Sequence, residues 1–337
     1  MRPRDRLPWI LAASGEALEP TSGMMHTAPG MTETKTAGPY PPGPYPPGTY
    51  PLDHLVLPTA SLGVARARLV SLGFVVAPTG IHPFGTENCC VFLEDGTYLE
   101  PLAVGNEKAV AKAIADGNIF VARDRAYRDK RGNEGFSALA LGTEDADADH
   151  VRYVEAGLSA GDMLSFSRAF TDPAGKSDTA SFKLAFASGT GATDAFLFAC
   201  ERINAPKVDR TALQIHPNGA TGIIEVVAVS NQPSEQHRLI SIATRSPAAG
   251  QGSSTAFVLP NANLTLLDPV AFETRFGIPA GAPSELRFAG IVFSVRFADT
   301  VARLLAASSV EHEIRGNDIV VRPASGQGAA FIFREIA

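Results

Sequence analysis

From Leu52 onward the apolar positions change period in a regular way. Leu52 to Leu57 is a short strand-like run, and Ser61 to Leu72 then spaces Leu62, Ala65, Leu69 and Leu72 along one helical face before stopping at Gly73. Three more strand-like runs follow: Phe74 to Ala77, Cys89 to Leu93 and Thr97 to Val104. Glu94-Asp95-Gly96 is a hairpin turn between the last two. The stretch predicts a β-α-β-β-β unit.

The unit recurs, and recurrence decides the fold class more than any single motif. Phe136 to Gly142 opens a second copy, with a helix over Ala148 to Ala156 and strands at Met163 to Phe170, Ser181 to Ala187 and Ala195 to Arg202. Gly222 to Val229 opens a third, at whose end Leu267-Asp268-Pro269-Val270-Ala271 lines up with Leu99-Glu100-Pro101-Leu102-Ala103. That alignment sets Glu225 in the place of His54, and Asp268 in the place of Glu100. A fourth copy runs from Phe288 to Ala337, where Val301-Ala302-Arg303 echoes Val64-Ala65-Arg66. Strands arrive in runs after each helix, so the class is α+β with antiparallel-rich sheets. Four βαβββ modules pair into two sheet-lined cups.

Residues 1–50 read as a disordered tail, in which Gly-Pro-Tyr-Pro-Pro repeats over Gly38 to Gly48 favour extended polyproline-like chain. Met24, Met25 and Met31 allow a biological start downstream of Met1. Leu7 to Ala13 is too short and too proline-interrupted to argue for export. Residues 51–204 form the first domain, 205–220 a linker broken by Pro206, Pro217 and Gly219, and 221–337 a second, divergent domain. Asn106 to Arg131 reads as a charged helical insertion.

With 337 residues, 45% of them hydrophobic, the chain can bury more than one core. A net charge of −6 without a basic patch argues against nucleic acid as a partner. No run approaches the roughly 20 apolar residues that cross a bilayer. Cys89, Cys90 and Cys200 are odd in number and lack CxxC spacing, which fits a reducing cytoplasm.

The chemistry concentrates in the first unit. His54 on the first strand and Glu100 on the last put an imidazole and a carboxylate into one concavity if those strands are neighbours, the beginning of a divalent-metal site. A lone strand histidine is more often a hydrogen-bonded core residue. The charged partner at module spacing reverses that preference, because an inward carboxylate needs pairing or metal. His82 lies in a Gly/Pro-rich loop, as a proton-shuttling imidazole or as a loop pin. Thr86 and Asn88 supply short hydrogen-bonding side chains there for a substrate. His216, before Pro217-Asn218-Gly219, reads as structural, and Cys89-Cys90 as buried strand. Cys200 and Glu201 take opposite faces of one strand, so only one of them can line the cup.

Asp53-His54-Leu55-Val56, Leu72-Gly73-Phe74, Gly80-Ile81-His82-Pro83-Phe84-Gly85-Thr86-Glu87-Asn88 and Tyr98-Leu99-Glu100 resemble the glyoxalase-like branch of the vicinal oxygen chelate superfamily. Cys200-Glu201 and His216-Pro217-Asn218-Gly219-Ala220 are similar to a later signature of the same branch. The resemblance implies paired βαβββ modules and a divalent ion (zinc, nickel, manganese or iron) held from the first and last strands. His54 and Glu100 take those ligand positions. The second module departs from the pattern: Ser137 or Ala138 stands at its first-strand position, and Glu201 is its only last-strand donor, as third ligand or general base. The missing second histidine weighs against oxygen-activating iron, which uses two histidines and a carboxylate.

The expected function is a metal-dependent enzyme of lyase or isomerase type acting on a small oxygenated organic molecule. The alternative is a metal-free module that sequesters or senses a hydrophobic small molecule, with His54 and Glu100 bonded to each other.

Overall fold

The computed structural model describes residues 47–171, 177–189, 195–205, 209–250, 252–282 and 284–336. The repeats of the tail, the alternative starts and the short N-terminal apolar run lie outside the described residues. Thr49 and Tyr50, at the end of the expected tail, are packed: the Tyr50 amide donates to Thr244 O and its hydroxyl to Asp149 Oδ1 at 2.7 Å.

The first module comprises β1 (Leu52–Pro58), α1 (Leu62–Ser71), β2 (Gly80–Ile81), β3 (Thr86–Asn88), β4 (Val91–Phe92) and β5 (Tyr98–Val104). The insertion forms α2 (Glu107–Ala115) and α3 (Ile119–Arg131), each opened by an asparagine whose side chain accepts the N3 amide. The second module is β6 (Ala138–Thr143), α4 (Ala146–Glu155), β7 (Leu164–Thr171), β8 (Ser177–Ala187) and β9 (Phe196–Asn204). Both share one sheet in the order β2-β3-β5-β1-β6-β9-β8-β7, with β4 pairing β5. The modules join where β1 runs antiparallel to β6, His54 opposite Ala140.

A short connection through α5 (Thr211–Gln214) leads to a second sheet. Its elements are β10 (Ala220–Val229), α6 (Pro233–Thr244), β11 (Ser254–Val258), β12 (Asn263–Leu267), α7 (Pro269–Phe276), β13 (Arg287–Val295), α8 (Ala298–Ala307), β14 (Glu313–Arg315), β15 (Asp318–Val321) and β16 (Ala330–Glu335). Its order is β11-β12-β10-β13-β16-β15-β14.

Period-two alternation divides the strands between cores. Leu55, Leu99, Leu139 and Leu197 of the first sheet join Ile223, Ile291, Phe331 and Phe333 of the second, with α1, α4, α6 and α8, in one cluster. The helices thus form a shared layer between the sheets. The run Phe74 to Ala77 is not a strand: it is apolar because Phe74 packs across this layer, its ring 5.2 Å from that of Phe293 and 6.0 Å from that of Phe333. Gly73 is required beside it, since its φ is +82° and a Cβ would stand 2.7 Å from Leu304. Gly80–Ile81 and Thr86–Asn88, expected as loop, are instead paired edge strands closed by His82 N donating to Thr86 O.

The internal match at Asp268 also fails in three dimensions. Glu100 lies within β5, whereas Asp268 caps α7, accepting from Ala271 N at 2.7 Å. Asp followed by Pro is a helix-start signal, and that local chemistry overrides the likeness to Glu100-Pro101. Phe272 and Phe276 of α7 then fill the inner face of the second sheet, against Val227, Val292 and Ile332. One cup is plugged; the other is open to the chemistry below.

Candidate active site

The first sheet curls until its two edges meet. Phe166 on β7, at one end of the strand order, lies 5.2 Å from Phe84 and 6.0 Å from His82 in the β2–β3 turn at the other end. The curl encloses a cavity of about 260 Å³ lined by His54, His82, Asn88, Glu100 and a set of aromatic rings. The insertion closes one side, with Phe120 of α3 in the lining.

Glu100 is the hub. It sits two residues beyond Tyr98, which pairs with His54 in the parallel β1–β5 ladder, so both side chains face inward. Its Oε2 is 3.5 Å from His54 Nε2 and its Oε1 3.6 Å from His82 Nε2. Asn88 Nδ2 donates to Oε1 at 2.6 Å. All of these are nearly dry: His54, His82 and Glu100 expose only 5%, 6% and 6% of their surface.

Outer partners fix both imidazoles. His54 Nδ1 stands 2.6 Å from Asp53 Oδ1, and Arg202 donates to the same oxygen at 2.7 Å. Burial works to raise the Asp53 carboxyl, but Arg202 and His54 outweigh it and hold it below its ordinary range. Asp53 is therefore an acceptor only, His54 Nδ1 carries the proton, and Nε2 is aimed at Glu100. Tyr98 stacks on the His54 ring at 4.5 Å, and burial keeps its phenol protonated by pushing it well above the usual value. His82 Nδ1 is 2.9 Å from Thr86 Oγ1. Burial brings His82 down to about 4; Glu100 opposes the shift and Arg168 adds to it, so the ring is neutral at pH 7.

Of the six residues singled out from the sequence, four line the cavity, His54, His82, Asn88 and Glu100, and Thr86 stands behind His82, fully buried. Glu201 does neither. Phe198, Cys200 and Arg202 turn into the cavity, whereas Glu201 falls on the outer face and accepts from Ala146 N at the start of α4. In this position its carboxylate does not face the cavity. Glu201→Ala is expected to cost about 1 kcal/mol, the worth of a lost helix cap, and to leave ligand binding in the cavity unchanged; a Tm series with a binding isotherm checks both.

The pseudo-twofold between β1 and β6 places Ala138 where His54 stands and Phe198 where Glu100 stands. At these two positions the second module thus offers no donor, and the second imidazole beside Glu100 comes from His82 of the first. Sequence reasoning missed the cavity arginines Arg168, Arg202 and Arg210. The alternation Leu164-Ser165-Phe166-Ser167-Arg168 was the available signal for one of them. His216 is structural, accepting from Val75 N at 3.0 Å and donating to Phe92 O at 2.9 Å. Cys90 lines the cavity, but burial pushes its thiol far up, away from nucleophile chemistry.

The donor chemistry fits a divalent ion: a carboxylate and two imidazoles, each ring held from behind at Nδ1. Among the described residues no three His, Cys, Asp or Glu side chains are grouped as an ion-holding set, so these side chains would supply a pair of ligands rather than a cage. His54 and Glu100 are the residues that would hold the ion. In the second sheet the matching position is closed: Glu225 receives Arg275 Nη1 and Nη2 at 2.7 and 2.6 Å.

This curled sheet of two βαβββ modules has the fold of the vicinal oxygen chelate superfamily. A hypothetical protein from Staphylococcus aureus superposes with a TM-score of 0.59 at 13% identity, over 85% of this chain and 100% of that one. A variant of 4-hydroxymandelate synthase from Streptomyces coelicolor gives 0.54 at 15% identity, covering 85% and 93%. A catechol 2,3-dioxygenase gives 0.50 at 11% identity, covering 86% and 88%. No curated protein sequence matches the chain. The chain belongs to the glyoxalase-like domain family, whose model matches residues 52–243.

Proposed function

We propose that the protein is a metal-dependent enzyme of lyase or isomerase type whose first-sheet cavity takes a small oxygenated organic molecule. The observation that carries this reading is the convergence of His54 Nε2 and His82 Nε2 on the two oxygens of Glu100 inside a nearly dry cavity. With its Nδ1 proton committed to Asp53, His54 presents Nε2 to a carboxylate oxygen, a contact that calls for positive charge on the ring or between the two. Membership of the glyoxalase-like family supports the same chemistry.

A bound divalent ion supplies Lewis-acid stabilisation of negative charge developing on substrate oxygens. His54 and Glu100 would hold it, and Asn88 fixes the Glu100 rotamer by donating to Oε1. His82, neutral at pH 7, receives or orients a proton at Nε2 while Thr86 holds its other nitrogen. The phenylalanine walls exclude water, which strengthens each of these interactions. With His82 kept as the proton carrier, one imidazole and one carboxylate remain as ligands, short of the two histidines and a carboxylate that oxygen-activating iron uses, so lyase or isomerase chemistry suits the site better than oxygen activation.

Added manganese, nickel, zinc or iron is expected to raise the Tm of the wild-type protein and not that of His54→Ala. If none of the four shifts the wild type, the metal-free binding module takes over as the better reading. One observation already favours that second reading: Asn88 satisfies Glu100 Oε1 with no ion needed.

A further inference from the structure

The cavity holds more positive charge than its carboxylates can pair. Arg168 on β7, Arg202 on β9 and Arg210 before α5 all line it. Arg202 has Asp53 at 2.7 Å. Arg168 and Arg210 make no hydrogen bond or ion pair among the described residues. Arg210 lies 4.5 Å over the Phe92 ring, which is a weak substitute for an anion at a half-buried site. The carboxylate in the lining, Glu100, is committed to Asn88 and the two imidazoles.

The position of Arg168 is built rather than incidental. A Cβ on Gly80 would come 2.6 Å from Arg168 Nη1 and 2.5 Å from Asn88 Oδ1, so glycine there leaves room for the guanidinium beside Asn88. The cations also feel one another: burial lowers Arg210, and Arg202 and Arg168 add to the shift. Holding such groups together in a low-dielectric pocket costs stability, and proteins keep that arrangement where a ligand supplies the opposite charge. Much of the remaining wall is aromatic, with Phe84, Phe92, Phe120, Phe166, Phe182 and Phe198 offering ring faces and edges.

We infer that the cavity's ligand is a planar aromatic molecule bearing one anionic group, its ring among the phenylalanines and its charge between Arg168 and Arg210. This narrows the substrate class within the proposed function and rests on that reading for its place beside the donor set. Two parallel N–H donors make guanidinium the suited partner for a carboxylate or a phosphate. Aromatic faces and edges supply the apolar part of the recognition.

The test is calorimetric titration of the full chain with benzoate, phenyl phosphate, 1-naphthoate, the neutral amides benzamide and 1-naphthamide, and acetate. At least one aromatic anion is expected to bind roughly tenfold or more tighter than its amide and than acetate, about what one charge-assisted hydrogen bond amounts to. Whichever of benzoate and phenyl phosphate binds tighter identifies the anion as carboxylate or phosphate. Arg168→Met and Arg210→Met should each remove that advantage without lowering the Tm of the protein alone, since each deletes a half-buried cation with no anionic partner among the described residues. Metal content is measured on the same samples and should be unchanged in both. Amides binding as tightly as the anions would overturn the inference, as would anion binding that survives in both arginine variants. Anion affinity lost only in Glu100→Gln would also overturn it, because the ion would then be the anchor. Metal loss in the wild type with the arginine dependence intact would instead count against the proposed function alone.

Discussion

Purified without an affinity tag, the wild-type protein is expected to carry close to one divalent ion per chain, and Glu100→Gln to carry none. Glutamine keeps the volume of Glu100 and an oxygen for Asn88 Nδ2, so the strand and the edge turn stay in place. What it removes is the negative charge that faces both His54 Nε2 and His82 Nε2. Affinity should fall by more than the roughly 10–100-fold that outer partners of a metal site are worth. Asp53→Asn, which weakens only the hold on His54 Nδ1, should stay within that range. Inductively coupled plasma mass spectrometry with competitive chelation measures the series. Equal metal content in Glu100→Gln and wild type would place any bound ion elsewhere and leave the cavity as a metal-free pocket.

The site was legible where charge interrupts an apolar strand. His54 and Glu100 are conspicuous because Leu55, Val56, Leu99 and Leu102 around them are buried. Glu201 was misleading for the opposite reason. β9 reads Phe196-Leu197-Phe198-Ala199-Cys200 and is buried on both faces, so its period does not say which face is the cup. One residue of phase moved the assignment from Cys200 and Arg202 to Glu201. Arg168 had a readable phase, but its role depends on β7 curling back to the β2–β3 turn, a non-local closure that no local pattern encodes. The mistaken equivalence of Asp268 with Glu100 shows the reverse hazard, where a genuine internal resemblance is overruled by a helix cap.

The second sheet supplies the other large effect. Arg275→Met is expected to destabilise the protein by about 3 kcal/mol, the low end of what breaking a buried ion pair costs. The low end applies because the Arg275 side chain is 31% exposed while that of Glu225 is 8% exposed. The loss leaves Glu225 with only the Thr265 hydroxyl and the more distant Arg334 at 3.5 Å, whose Nε and Nη2 are held by Asp318 at 2.7 Å. The pH dependence should reverse with it. In the wild type, burial pushes the Glu225 carboxyl up, but Arg275, helped by Thr265 and Arg334, pulls it down further, so it lies below its ordinary range. A depressed carboxyl contributes stability that is present above its unfolded value near 4.5 and lost as the pH falls through the lower folded value. Without Arg275 the burial effect dominates, the folded carboxyl rises, and acidification from neutral pH should relieve part of the damage. Glu225→Leu combined with Arg275→Met should recover most of the Tm, because the site lies against Val227, Val292 and the α7 phenylalanines that plug this cup. Metal content and cavity binding should follow the wild type throughout, since the sheet that holds Glu225 is not the sheet that holds Glu100. Chemical denaturation between pH 4 and 8 checks the sign; a Tm loss in Arg275→Met that grows on acidification would show that Glu225 is not the group left unpaired.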